Sequence, residues 1–470
     1  MTVSPLSLPL RVQYQQLRDG ELRAIQLAEA AATTWQSRGL HDHAYRDWNG
    51  DVALAHARAV DELLALGTDT GALMGMAVSI KDIYAVSGFE TFAGSARRLG
   101  QPWETSGPLV RQLLAQLPIV MGKTHTVEFA FGGLGTNAHW GTPRNPWDTR
   151  QHRTPGGSSS GAGVSVVTGT ASLALGTDTA GSVRVPASMT GVSGLKTTAG
   201  RWPTAGIVPL SSTLDTPGLL ARRVDDLAFA FDGIDPGLTG LGKRVLAPPT
   251  LSSLTLGVPD RYFWDDCSPG VAEAVQQAIR QLEKAGARIV TLDIPHTNDA
   301  LALFLQGGLA AAELAAFLSH ELPNALDHLD PNVAARVEAA EQMSATEYLR
   351  RCRILSDLSA SACDSLYQVD AVLTPTVAIT PPTLMQLEPE GAYASANMAA
   401  LKNTMIANFM GLCALTLPVG RDAANMPVGL QLLARPMQEP RLLAIGISIE
   451  QQLGDSVAIL GEPEVPSLLS

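Results

Sequence analysis

Cysteine is scarce in this sequence, because the 470 residues include only four, at Cys267, Cys352, Cys363 and Cys413. The four form neither a C-x-x-C pair nor a Cys/His cluster with metal-ligand spacing, so the sequence predicts no metal site. So few thiols in a chain of this length also exclude a disulfide framework. This favours a reducing compartment and predicts a cytoplasmic protein.

Basic residues are fewer than acidic residues, and long apolar runs are absent from the sequence. Lys and Arg total 33 against 45 for Asp and Glu, which gives a formal net charge of -12. A surface of this sign repels phosphate backbones, so we expect no nucleic-acid partner. No uninterrupted apolar run approaches the roughly 18 residues of a membrane helix. Residues 1–26 lack the basic start and apolar stretch of a secretory signal, so we expect neither a membrane span nor export.

Apolar residues make up 46% of the chain, enough for a large buried core. Residues 76–80 and 119–121 are short apolar runs bounded by glycine, as buried strands are, and residues 109–117 between them suit a helix. This order predicts an α/β protein, with a large mixed central β-sheet covered on both sides by helices.

The organisation of the chain favours one domain over residues 1–470. Its core motifs lie at about 71–217, and a helix-rich elaboration at about 260–368 contains the capping box Ser344-Ala-Thr-Glu347. Strand-like runs return at about 369–440, and we expect them to rejoin the early sheet.

Two segments rich in glycine and serine, residues 154–163 and 176–186, contain the residue types of a hydrolytic site. In the second segment, the small residues 179–181 lead into Ser182. Small residues let a substrate carbonyl approach backbone N–H groups closely, as an oxyanion hole requires. Asp178 and Arg184 flank this loop and are placed to pin it by hydrogen bonds or as an ion pair.

A serine nucleophile needs a base. None of the nine histidines lies in a recognisable arrangement with these loops. Lys81, however, directly follows the apolar run 76–80, so we expect it at the end of a buried strand. Burial lowers the pKa of a lysine because desolvation disfavours the ammonium, and a neutral amine there can accept a serine proton.

Taken together, three motifs resemble the amidase signature family: Ser79-Ile-Lys81-Asp82, Gly156-Gly-Ser158-Ser-Ser-Gly161 and Gly176-Thr-Asp-Thr-Ala-Gly-Ser182-Val-Arg-Val-Pro186. Ser158 and Ser182 are 24 positions apart, as in that family. The resemblance implies the family's mixed-sheet fold and a Ser–Ser–Lys hydrolase of amide bonds. Ser182 would be the nucleophile, Ser158 a proton relay that follows a cis peptide bond, and Lys81 the base.

The resemblance assigns further roles. The backbone N–H groups of Thr179, Ala180, Gly181 and Ser182 would form the oxyanion hole, and the supporting residues would be Ser159, Asp178 and Arg184. The acyl side of the pocket would be lined by Ala130, Phe131, Gly132 and Gly133. The apolar character of that segment favours an uncharged acyl group, with an aryl amide or a carbamate preferred and an ester also accepted. No cofactor is implied; the expected partner is a small-molecule amide or carbamate, and a homodimer is allowed.

Three other interpretations of the motifs stay open. Gly157-Ser-Ser159-Ser-Gly161 also fits a G-x-S-x-G nucleophile elbow, although Thr154-Pro-Gly156 argues against the strand that an elbow needs before its serine. The A-type subunit of the tRNA-dependent amidotransferase shares the amidase motifs but acts only in a complex. A catalytically silent member would not need all three of the proposed catalytic residues.

Overall fold

A computed structural model describes residues 4–240 and 246–464. The strands within these ranges are β1 (Tyr45–Trp48), β2 (Ala77–Lys81), β3 (Ile119–Thr124), β4 (Leu173–Asp178), β5 (Ser193–Lys196), β6 (Thr216–Ala221), β7 (Thr255–Val258), β8 (Arg288–Thr291), β9 (Ala371–Pro375), β10 (Cys413–Arg421) and β11 (Pro427–Ala434). They form one sheet in the order β1-β3-β2-β4-β6-β5-β10-β11-β9-β7-β8.

The helices in the same ranges are α1 (Leu10–Asp19), α2 (Ala24–Asp42), α3 (Gly50–Ala65), α4 (Pro108–Leu114), α5 (Ser160–Thr168), α6 (Arg184–Thr190), α7 (Val224–Thr239), α8 (Val271–Lys284), α9 (Thr297–Leu305), α10 (Ala310–Glu321), α11 (Pro331–Glu341), α12 (Ala345–Ser365), α13 (Ala392–Leu401), α14 (Met405–Phe409), α15 (Glu439–Leu453) and α16 (Ser456–Leu460). The predicted capping box at the start of α12 is half formed: the Glu347 backbone N–H donates to Ser344 Oγ at 3.1 Å. The Glu347 carboxylate instead accepts hydrogen bonds from Arg350 and Arg351.

The sheet is mixed, as predicted. β2 runs parallel to both of its neighbours, β3 and β4. In the central part of the sheet, with the spatial order β4-β6-β5-β10-β11, each strand is antiparallel to the next. Every residue of β2 is buried, in keeping with the apolar Ala77, Val78 and Ile80 of its sequence. The late strands β9, β10 and β11 lie in the same sheet as β2 to β6, joined through the pairing of β10 with β5.

Helices cover both faces of the sheet. Successive residues of a strand point to opposite faces. In β6, Leu219 and Ala221 belong to the large core that includes the apolar side chains of α7, α8 and α15. Leu220 between them packs instead with Val166 of α5 and Ala187 of α6. The two layers are therefore α7–α8–α15 on one face and α5–α6 on the other, and the predicted fold class is confirmed.

Residues Thr297–Glu321 form a stretch long and apolar enough to cross a membrane by length and composition, with a mean hydropathy of 1.7. The stretch consists of α9 and α10, joined by a turn in which Gly307 and Gly308 both have positive φ. Of the 18-residue part that meets this criterion, 44% is buried inside the protein. Core helices of soluble proteins pass the same test, so this is weak evidence for a span.

Candidate active site

Lys81 is the last residue of β2, and its side chain is fully buried. Its Nζ donates to Ser158 Oγ at 2.7 Å and to Thr177 Oγ1 at 2.8 Å. Burial lowers the pKa of this amine to about 7, although the carboxylates of Asp215 and Asp178 act in the opposite direction. Near neutral pH a large share of Lys81 is therefore the free amine, which is the form that accepts a proton.

Ser158 lies in the loop that precedes α5, and the Gly157–Ser158 peptide bond is cis. Hydrogen bonds tie this loop to two neighbours. The Ser159 backbone N–H donates to Ser182 O at 3.1 Å, and the Gly157 N–H donates to Gly133 O at 2.8 Å. The Ser158 loop is thus fixed between the loop of the predicted nucleophile and the predicted substrate-binding segment.

Ser182 follows a tight turn at the end of β4. Gly181 in this turn has a φ of 142°, and a Cβ on it would lie 2.1 Å from Thr404 Oγ1. That hydroxyl donates to Ala180 O at 2.7 Å and so holds the turn from the far side. Within the described ranges, the N–H groups of residues 179–182 donate no hydrogen bond to the protein. Four free donors in sequence are suited to bind an anionic oxygen.

A buried ion pair holds the base of this turn. Arg184 donates from Nη2 to Asp178 Oδ1 at 2.9 Å and from Nε to Asp178 Oδ2 at 3.0 Å. The guanidinium also donates to Thr404 O, Asn408 Oδ1 and Gln431 Oε1, at 2.6 to 2.7 Å. Burial alone would raise the pKa of Asp178, but Arg184 outweighs it and lowers the pKa to about 2. Asp178 is therefore ionised near neutral pH.

A cavity of about 900 Å³ opens onto this turn, and Thr179, Ala180 and Ser182 form part of its wall. Its volume lies within the range of small-molecule sites. Of the predicted substrate-binding residues, Ala130, Phe131 and Gly132 line the cavity. Gly133 does not; its N–H donates to Asn397 Oδ1 at 2.6 Å, and a Cβ on it would meet Leu401. The opposite wall comes from the α9–α10 turn, α11, the start of α12, and α13.

The profile of the amidase family matches residues 41–443, most of the chain. The chain belongs to the amidase family. The family, fold and enzyme class predicted from the sequence are thus confirmed, and this amidase is a hydrolase that acts on amide C–N bonds.

The amidase has relatives of two named activities. It is 52% identical to 2-amino-5-chloromuconic acid deaminase of Comamonas testosteroni, over 98% of this chain and 99% of the relative. It is 32% identical to the A-type subunit of glutamyl-tRNA(Gln) amidotransferase of Chloroflexus aggregans, over 93% of this chain and 95% of the relative. A crystal structure described as an amidase superposes with a TM-score of 0.86 and 27% identity, covering 95% of this chain and all of the other.

The nucleophile-elbow reading is not favoured by the geometry of this amidase. An elbow at Ser159 requires that hydroxyl to face a substrate. Instead, Ser159 is fully buried and donates to Thr177 O at 3.3 Å. Ser159 does not line the cavity, whereas Ser182 does. Among the residues the structure describes, no histidine contacts either serine through a hydrogen bond.

Sequence reasoning missed Asp215, which lies just before β6. Its buried carboxylate accepts hydrogen bonds from Thr179 Oγ1 at 2.5 Å and from the backbone N–H groups of Leu210 and Ser211 at 2.9 and 3.1 Å. Burial raises its pKa to about 6, against the effect of these donors and of Lys81. Its place in the serine- and threonine-rich run Ser211-Ser-Thr-Leu-Asp215-Thr-Pro was the available signal.

Arg336 was missed as well, and unlike Asp215 it is part of the cavity wall. It lies on α11 and lines the cavity together with Ser182. Its Nη1 donates to Phe131 O at 2.9 Å, and its guanidinium carbon lies 3.4 Å from the centre of the Phe131 ring. The sequence around it reads as an ordinary polar helix face, so no local signal marked it.

Proposed function

We propose that this amidase cleaves a carboxamide-type C–N bond through an acyl-enzyme on Ser182, with Ser158 as the proton relay and Lys81 as the base. The observation that carries the proposal is the 2.7 Å hydrogen bond from the buried Lys81 Nζ to Ser158 Oγ. An amine whose burial lowers its pKa to about 7 is matched to a proton transfer near neutral pH.

The reaction proceeds in two halves. As Ser182 Oγ attacks the carbonyl carbon, its proton passes to Ser158, and the Ser158 proton passes to neutral Lys81. The free N–H groups of residues 179–182 stabilise the negative charge on the carbonyl oxygen. The C–N bond then breaks, and Ser158 delivers a proton to the departing nitrogen while Lys81 restores the proton of Ser158. Water releases the acid from the acyl-enzyme by the same relay.

The leaving group that the relatives favour is ammonia. The relative from Comamonas testosteroni is named for a deamination, and its 52% identity extends over nearly the whole of both chains. By that likeness, we propose that this enzyme releases ammonia from a small substrate. The sequence-based preference for an aryl amide or a carbamate stays a prediction. It is tested by comparing the rates of amine release from these two kinds of substrate.

A partner-dependent component of an amidotransferase is the second candidate, because such proteins match 91–95% of this chain at 29–32% identity. The higher identity to a deaminase favours independent activity. Turnover by the purified chain alone supports the first candidate, whereas inactivity together with stable co-purification of a second protein supports the other.

The decisive experiment is single-turnover release of ammonia or amine by wild type, Ser182→Ala and Lys81→Ala. Lys284→Ala is the matched control, since Lys284 is exposed on α8. We expect both site variants to lose about 10⁴-fold or more in rate and the control to keep it. Retention of the rate by Lys81→Ala would show that another group is the base.

We also propose a cytoplasmic location and leave the homodimer as a prediction. All four cysteines are free thiols, and Cys413 is fully buried. Free thiols in a chain of this size fit a reducing compartment.

A further inference from the structure

Arg336 is a cation in the cavity with unused hydrogen-bonding capacity. A guanidinium has five N–H donors, and the only hydrogen bond that Arg336 donates within residues 4–240 and 246–464 is the one to Phe131 O. Among the described residues, no carboxylate counteracts the effect of burial on the pKa of Arg336. Burial lowers the pKa of Arg336 to about 10, so it is still protonated at neutral pH.

Arg351, the other arginine of the cavity wall, shows the contrast. It donates to Glu347 Oε1 at 2.8 Å and to the carbonyls of Gln306 and Gly308 at 3.0 and 2.8 Å. Its charge and its donors are thus satisfied by the protein. The cavity wall contains two arginines and one glutamate, and it therefore holds one positive charge in excess, on Arg336.

The position of this guanidinium is fixed before any substrate binds. It is stacked on the Phe131 ring and anchored to the Phe131 carbonyl, so its plane and its remaining N–H edges have a defined orientation. The supporting segment is itself held, since Gly133 N–H donates to Asn397 Oδ1 and a Cβ on Gly132 would lie 2.7 Å from the Tyr393 hydroxyl. A preorganised guanidinium with free donors is suited to bind a carboxylate, because its geometry matches the two carboxylate oxygens.

We propose that Arg336 binds a carboxylate of the substrate at the end remote from the scissile C–N bond. This inference rests on the proposed hydrolysis at Ser182, and it narrows the substrate class to small amides, or related C–N compounds, that carry a second, anionic end. The expectation of an uncharged acyl group came from the segment around Phe131 alone. The protein's net charge of -12 repels anions at a distance, so an anionic substrate needs such a local cation.

Binding in the Ser182→Ala background tests this without turnover. Succinamic, glutaramic and adipamic acids and their neutral counterparts butanamide, pentanamide and hexanamide are titrated calorimetrically. The proteins carry native Arg336, Arg336→Gln or Arg336→Lys. The control is Arg280→Gln, which removes an exposed positive charge on α8, away from the cavity.

With native Arg336, we expect at least one carboxylate ligand to bind about 10- to 100-fold more tightly than its neutral counterpart. Arg336→Gln removes this preference and leaves the neutral amide unchanged within about twofold, Arg336→Lys retains part of it, and Arg280→Gln retains all of it. The proposal is overturned if no carboxylate ligand binds preferentially, if the preference survives Arg336→Gln, or if that variant weakens both ligands equally. Failure of the proposed function shows separately, as turnover that persists in Ser182→Ala.

Discussion

Replacing Lys81 by methionine allows two effects of this amine to be measured separately: its contribution to activity and the free energy of unfolding that is lost by burying it. The fully buried Lys81 has its pKa lowered from 10.5 to about 7 because burial disfavours the ammonium. In the unfolded chain the same lysine returns to its ordinary pKa. Between these two values the unfolded state binds more protons than the native state, so this group makes the free energy of unfolding rise with pH.

The size of the effect follows from the shift. At about pH 7 the lowered pKa of Lys81 decreases the free energy of unfolding by about 4 kcal/mol. At about pH 9 the decrease is only about 2 kcal/mol. Methionine has a similar volume and no charge, so it removes this penalty. It also leaves the hydroxyls of Ser158 and Thr177 without their lysine donor, at a cost of about 1–3 kcal/mol each that does not depend on pH in this range.

The assay is equilibrium urea unfolding of wild type and Lys81→Met at both pH values, with the exposed Lys284→Met as the control. We expect the stability of Lys81→Met relative to wild type to fall by about 2 kcal/mol from about pH 7 to about pH 9, while its activity is lost. The control should show no such trend. A difference between Lys81→Met and wild type that is the same at both pH values would refute the lowered pKa of Lys81.

Further outcomes are expected at the same site. The rate constant kcat/KM of wild type should rise with pH through an apparent pKa of about 7 as Lys81 loses its proton, and Asp215→Asn should move this rise to lower pH because the carboxylate raises the pKa of Lys81. Gly181→Ala should lower kcat about 100-fold or more, since the added methyl group clashes with Thr404 and displaces the oxyanion donors. Arg184→Met should lower the free energy of unfolding by about 3–5 kcal/mol in urea unfolding, because it leaves a buried carboxylate unpaired.

The glycine and arginine variants each have a matched control, and the Asp215→Asn profile is compared with that of wild type. Gly88 also has a positive φ, but a Cβ on it meets nothing within 4 Å, so Gly88→Ala should cost only about 1 kcal/mol of stability and leave kcat intact. Arg280→Met removes an exposed arginine and should leave the unfolding free energy within about 0.5 kcal/mol of wild type. An Asp215→Asn profile that coincides with wild type, or equal effects in a variant and its control, would contradict the corresponding argument.

Much of the fold was predictable where a local pattern determines the local structure. The apolar runs at 76–80 and 119–121 correspond to β2 and β3, and Ser344 of the predicted capping box is the N-cap of α12. The edge strand β1 was not predicted, because its sequence Tyr-Arg-Asp-Trp has no strand-like alternation. Its conformation depends on antiparallel pairing with β3, a partner some 75 positions further along the chain.

The same distinction applies to the site. Lys81, Ser158 and Ser182 were predicted because Lys81 follows an apolar run, Ser182 follows contiguous small residues, and the three motifs together resemble the amidase signature family. Asp215 and Arg336 were not, because their roles exist only across long separations: Asp215 contacts Thr179, 36 positions away, and Arg336 contacts Phe131, 205 positions away. Such contacts are determined by tertiary packing, and the local sequence pattern of a single chain does not predict them.

The two walls of the cavity come from different stretches of chain, so the substrate specificity of the enzyme can change separately from its catalytic groups. The groups proposed to break the bond lie on the central sheet and its loops, whereas residues 304–311, 331–351 and 393–401 supply the facing wall. Substitutions in the facing wall can change which molecule is accepted without disturbing the hydrogen bonds around Lys81. Grafting these helical segments between related chains is therefore a route to new substrates on an unchanged reaction centre.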